Sequence, residues 1–165
     1  MKRIYCKDTR TVYEGYVFPS NLNNNDIQFG GRTLEILDAN AGISVVKFLP
    51  GVPFVTASYD RVHFIKPISE QKIYKCVSYV TGASPKAVEV FTKFVTQDKV
   101  TAAKQVAFTA FCSLVITDKT VTEVPQVIPE SAEEKYLCQD YELRLAERIN
   151  EFKQNKQLVA KLDYE

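Results

Sequence analysis

Asp38 stands where a carboxylate is expensive. In the helix-like stretch RTLEILDANAGISVVKFL (32–49), Leu34, Asp38, Ala41 and Val45 recur at helical spacing, with Leu37 and Phe48 widening the stripe. That phase turns Asp38 onto the buried side of the helix, facing the sheet. A buried carboxylate costs free energy unless it is paired or put to use. Either it does chemistry, or it lies at the stripe's edge and reaches water, a backbone group or a serine. Periodicity alone leans to the second, inert account. Gly30 and Gly31 immediately precede the helix. They read either as a tight turn needing positive φ or as a helix start whose N–H groups face an anion or a developing oxyanion. By residue type alone, Asn23, Asn24 and Asn25 read as a turn.

Other chemistries find little support. His63, the only histidine, alternates with Arg61 and Ile65, away from Val62 and Phe64, and reads as a half-exposed strand residue rather than a general base. No G-x-S-x-G elbow occurs, and a single histidine without a cysteine signature argues against a conventional triad. Nor is there a phosphate-binding G-x-x-x-x-G-K loop. Cys6, Cys76, Cys112 and Cys138 are far apart in sequence and form no C-x-x-C pair, so no metal site is expected. Cys76 and Cys112 fall in strand-like runs, where a thiol behaves as a small apolar group.

The positioning elements can be read from periodicity. TVYEGYVF (11–18) reads as a first strand, closed by Pro19-Ser20 and the asparagine loop, and Leu49-Pro50-Gly51 stops the helix. VTASYDRVHFIKPI (55–68) alternates, placing Thr56, Ser58, Asp60, Val62 and Phe64 on one face and Val55, Ala57, Tyr59, Arg61 and His63 on the other. KIYKCVSYVTG, KAVEVFTKFV and KQVAFTAFCSLVITD give three more strands. The last directs Val106, Phe108, Ala110, Cys112, Leu114 and Ile116 to one side. The layout is α+β, an antiparallel sheet wrapped around one long helix. Residues 119–129 read as a proline-containing connector. Ser131 and Glu134 have capping-box spacing, and Leu137, Tyr141, Leu145, Ile149 and Phe152 give the tail an apolar stripe that packs on the sheet or on another subunit.

The chain has 165 residues, enough for one domain with a substantial core. With 21 basic and 20 acidic side chains it carries no footprint for nucleic acid. It shows neither a signal core nor a membrane-spanning apolar run, so a cytoplasmic, reduced protein is expected.

Taken in order, the motifs resemble a known pattern. Val17-Phe18-Pro19, Asn23 six residues before Phe29-Gly30-Gly31, and Asp38 seven residues after the second glycine are similar to the signature of acyl-CoA hydrolases with the hot-dog fold. Val55-Thr56-Ala57-Ser58, Asp60, Phe64 and Lys66-Pro67 resemble the family's next strand, and Gly82, Ser84 and Val88 its following turn and strand. The likeness runs from about residue 10 to about residue 152, with a hot-dog domain over 1–128 and a helical extension over 129–165. There are two departures: Gln28 stands where the family has an apolar residue, and Pro85 replaces the second of a Ser/Thr pair, removing a hydroxyl and a backbone donor.

The resemblance implies an acyl-CoA thioesterase that releases free acid and CoA, with no cofactor because CoA is part of the substrate. It assigns Asp38 as general base or nucleophile and Asn23, from the facing subunit, as the residue orienting water or substrate. N–H groups at Gly30 and Gly31 would stabilise the oxyanion. Ser58, Lys66, Gly82 and Ser84 are its CoA-contact candidates. It implies a homo-oligomer, a dimer or a hexameric trimer of dimers. A hot-dog dehydratase and a non-catalytic acyl-CoA sensor are the competing functions. The dehydratase would pair a histidine with an acid, for which His63 is poorly placed. The sensor would not need a carboxylate near the thioester.

Overall fold

The computed structural model describes residues 2–70 and 72–163. The elements in chain order are β1 (Arg3–Tyr5), α1 (Cys6–Thr9), β2 (Thr11–Tyr16), a 3-10 turn (Pro19–Asn21), α2 (Gly30–Phe48), β3 (Phe54–Phe64), β4 (Lys72–Ala83), β5 (Ala87–Asp98), β6 (Lys104–Ile116), β7 (Gln126–Ile128), α3 (Ala132–Gln139) and α4 (Tyr141–Val159). Five strands form an antiparallel sheet in the order β2-β4-β5-β6-β3. The two short strands, β1 and β7, pair in parallel beside it and were not expected from the sequence.

Helix α2 packs on one face of this sheet, as the hot-dog layout requires. Leu37, Ala41, Val45 and Phe48 are fully or almost fully buried with Cys76, Val80, Phe94 and Phe108 in one core. Burying each large side chain contributes roughly 2 kcal/mol, which is what holds the helix down. The buried stripe is rotated from the one that periodicity suggested. It includes Ile36, Asn40 and Ser44, while Leu34 is only half-buried and Asp38 is exposed at the edge. Polar contacts account for the rotation. Asn40 Nδ2 donates to Ser78 Oγ (2.8 Å) and to the Thr11 carbonyl (3.2 Å), and Ser44 Oγ donates to Thr11 Oγ1 (3.1 Å). A satisfied polar seam can be buried where an unpaired one cannot, and apolar periodicity does not register it.

Strand β3 departs from strict alternation. Its register with β6 shifts between Thr56 and Ser58 and again between Asp60 and His63, with Arg61 at φ +48°. An extra residue reverses the facing of every later position on the strand. Thr56 and Tyr59, expected on opposite faces, therefore both reach α2, while Asp60 points to the other side of the sheet.

The C-terminal segment occupies that other side. Ser131 and Glu134 close the capping box: Ser131 Oγ accepts from the Glu134 N–H (3.1 Å), and the Glu134 carboxylate accepts from the Ser131 N–H (2.9 Å). The helix breaks at Asp140, and α4 then docks through charge as much as through apolar surface. Arg144 makes a two-pronged contact to buried Glu89, with both N–O distances 2.8 Å, and donates to the Leu137 carbonyl (2.6 Å). Arg148 bridges Glu89 and Asp60, and the Thr81 hydroxyl donates to Glu89 (2.6 Å). Of the expected stripe, Tyr141 is buried, whereas Ile149 and Phe152 are exposed. The tail leaves the sheet beyond Arg148. Tyr141 lies over Gly82, where a Cβ would fall 2.1 Å from its ring.

Candidate active site

The Asp38 carboxylate is held by β3. Thr56 Oγ1 donates to Asp38 Oδ1 at 2.7 Å, and the Tyr59 hydroxyl donates to the same oxygen at 2.5 Å. Asp38 Oδ2 has no partner among the described residues. Burial first, and the bond to Asp38 second, push the Tyr59 phenol above its ordinary range, so it stays protonated and remains a donor. Asp38 is thus neither buried, as the helical phase suggested, nor simply solvated. It sits at the seam between α2 and the edge strand, half-dressed by hydroxyls.

The glycine pair opens α2. The N–H groups of Arg32 and Thr33 bond to the Phe29 carbonyl (2.9 and 3.3 Å), while those of Gly30 and Gly31 find no acceptor among the described residues. They form the positive end of the helix. Neither glycine has positive φ, so the turn explanation fails. A Cβ on Gly31 would meet the exposed Phe29 ring at 2.8 Å, whereas one on Gly30 would meet the Phe64 ring at 3.4 Å, an ordinary contact. Asp38 lies seven residues beyond Gly31, roughly 11 Å along the helix axis. Within one chain the two features do not meet.

Asn23 organises the loop before the helix. Its Oδ1 accepts from the N–H groups of Asn25 (2.9 Å) and Ile27 (3.4 Å), and its carboxamide N–H₂ has no partner among the described residues. Gln28, the departure before Phe29-Gly30-Gly31, is buried, donating from Nε2 to Thr33 Oγ1 (2.9 Å) and from its backbone to the Ile68 carbonyl (2.7 Å). Its polarity is therefore satisfied at the helix start.

The CoA-contact candidates fall in three places. Ser58 is exposed on β3 and bonds to Asp60. Gly82 lies at the end of β4 and Ser84 just beyond it, where the Ser84 hydroxyl accepts from the Ala87 N–H (3.2 Å) and organises the turn that carries Pro85. Lys66 is exposed at the far end of the sheet. Its backbone bonds to Ala107 of β6, whereas Thr56 pairs with Leu114 of that strand. Those β6 positions are seven residues apart, roughly 23 Å. One chain does not bring Lys66 to Ser84. His63 is exposed and bonds to no carboxylate among the described residues. Thr56 and Tyr59 were missed as partners of Asp38, because only the β3 bulge puts them on one side.

An antiparallel sheet around one helix, with a hydroxyl-held aspartate two turns along from a free helix start, is the layout of a hot-dog hydrolase. No family model matches the chain. It is 34% identical over 158 residues to the acyl-CoA thioester hydrolase YkhA of Bacillus subtilis, itself described as uncharacterized, covering 94% of this chain and 91% of that one. The chain belongs to the acyl-CoA thioester hydrolase family. The crystal structure of the Bacillus cereus acyl-CoA hydrolase superposes with TM-score 0.91 at 30% identity, over 99% of this chain and 100% of the other. The Staphylococcus aureus acyl-CoA hydrolase, solved with butyryl-CoA, CoA and CoA disulfide, superposes with TM-score 0.87 at 27% identity, over 96% and 97%. A hexameric acyl-CoA thioesterase gives TM-score 0.80 at 25% identity, over 99% and 100%.

Proposed function

We propose that this enzyme hydrolyses acyl-CoA to free acid and CoA at a site shared by two chains. Asp38 of one chain would act as general base or nucleophile toward the thioester carbonyl. The helix start at Gly30-Gly31 and the Asn23 carboxamide of the other would stabilise the oxyanion and orient water. The observation that carries this reading is the division of the parts: a carboxylate with one free oxygen, and unoccupied N–H groups two helical turns away. β3, the edge strand bearing both donors to Asp38, is followed by exposed Ile65, and Phe29 and Phe64 are exposed around the glycines. Covering that apolar edge with a second chain excludes water from the reacting carbonyl. Ser58, Lys66, Gly82 and Ser84 would contact CoA from different chains of a dimer or a trimer of dimers, Lys66 at a phosphate. The setting we propose is the cytoplasm, a reducing compartment.

Released thiol, followed with a chromogenic disulfide across short, medium and long acyl-CoAs, tests the proposal. Turnover of at least one chain length is expected. Tight CoA binding without thiol release would overturn it. Asn23→Asp probes the second chain's part, because it keeps the oxygen that accepts from Asn25 and Ile27 and replaces the N–H₂ donor with a negatively charged acceptor oxygen. Turnover should fall roughly tenfold or more with the melting temperature held. Unchanged turnover would leave Asn23 a loop residue.

A further inference from the structure

The carboxylate of Asp38 is asymmetric. An ionised carboxylate has about four acceptor sites, two on each oxygen. Thr56 and Tyr59 both donate to Oδ1, at 2.7 and 2.5 Å, which fills that oxygen. Oδ2 keeps both of its sites. The two donors differ in kind. Thr56 is exposed, and its hydroxyl turns freely about one bond, whereas Tyr59 is half-buried against the core, with its ring fixed by packing. The phenol's O–H is therefore confined near the plane of a held ring, and its protonation is secured by burial. The bulge that brings it to Asp38 lies between Thr56 and Ser58, and Asp60, the residue after the tyrosine, is tied to α4 by Arg148. The strand is thereby anchored from behind at the residue following the tyrosine.

We infer that Tyr59 is a positioning residue for the hydrolysis: with Thr56 it occupies Oδ1 of Asp38 and leaves Oδ2 as the single oxygen that acts on water or on the thioester carbonyl. This rests on the reading of Asp38 as the reacting carboxylate. Tyr59 touches no substrate atom in this scheme. It fixes the rotation of the carboxylate, so the free oxygen points one way in every turnover.

The test is Tyr59→Phe, which removes one oxygen and keeps the ring, assayed with butyryl-CoA beside wild type and Asp38→Ala. Loss of one hydrogen bond to a charged group predicts a roughly tenfold fall in kcat, with KM and the melting temperature unchanged. Wild-type kcat in Tyr59→Phe with Asp38→Ala inactive overturns the role of Tyr59 alone. A raised KM at unchanged kcat overturns it as well, by making Tyr59 a binding residue. Full activity in Asp38→Ala removes the reading beneath it. If Tyr59→Phe loses its fold, a fluorinated tyrosine placed at position 59 decides the matter. Its more acidic phenol ionises within the alkaline range and can then no longer donate. A new basic limb in the kcat profile supports the inference, and a profile identical to wild type overturns it.

Discussion

Asp38→Ala is expected to reduce turnover of acyl-CoA by roughly 1,000-fold, within the range that positioned acid–base groups contribute. The fold should survive, because Asp38 is exposed at the end of the buried stripe and its loss leaves no cavity. What the substitution removes is the acceptor for two hydroxyls and the free oxygen that the proposed reaction uses. A melting temperature near wild type with near-zero thiol release is the expected pair of results. Comparable release in the variant would mean that another group activates water. Mixing chains extends the test. In a site shared across two chains, an inactive Asp38→Ala chain and an impaired Asn23→Asp chain assemble into dimers with one intact site. Activity should reappear on co-assembly, and its failure to do so would place both residues in the same half-site.

The largest stability effect is expected at Glu89. This carboxylate is almost fully buried on the outer face of the sheet and holds Arg144 and Arg148 at once. Burial by itself would raise its pKa. The Arg144 hydrogen bonds, the Arg148 charge and the Thr81 hydroxyl outweigh burial and hold it below the ordinary 4.5. Glu89→Ala leaves Arg144 facing the sheet with no counter-charge and Arg148 with Asp60 alone, which costs about 3–5 kcal/mol. For a chain of this size that is roughly 10 °C in melting temperature. A change within about 1 kcal/mol, in the range of an exposed pair, would show that solvent replaces the clamp. The pH dependence has a definite sign. A carboxylate whose folded pKa is depressed adds stability that is complete above its unfolded value and is lost as pH falls through the folded one. Wild type and Glu89→Gln should therefore differ most above the ordinary carboxylate range and converge only as pH falls through the depressed folded pKa. Parallel curves down to the acid limit would remove Glu89 as the source.

The second layer of the fold was legible because its signals are local. Apolar residues at helical spacing gave α2 to within two residues of its start, and alternation gave β4, β5 and β6. Capping chemistry gave the start of α3. β1, β7 and the break at Asp140 escaped, since three-residue strands and a single non-helical residue leave almost no periodic trace. The apolar C-terminal stripe was misleading for a related reason. Arg144 and Arg148 lie on the face α4 presents to the sheet, and their burial depends on Glu89, more than 50 residues earlier in the chain.

The site divides in the same way. The spacing of Asn23, Gly30-Gly31 and Asp38 is written in the sequence, because those residues lie on one loop and one helix whose geometry is fixed by neighbours a few positions away. What surrounds Asp38 is not. Its helical phase pointed inward, yet a polar seam through Asn40 and Ser44 rotates α2 and brings the carboxylate to the edge, and a bulge in β3 delivers Thr56 and Tyr59 to the same oxygen. Hydrogen bonds between distant strands decide both, and no local period encodes them. The sequence by itself determined which carboxylate to examine. The tertiary structure decided which of its two oxygens is free.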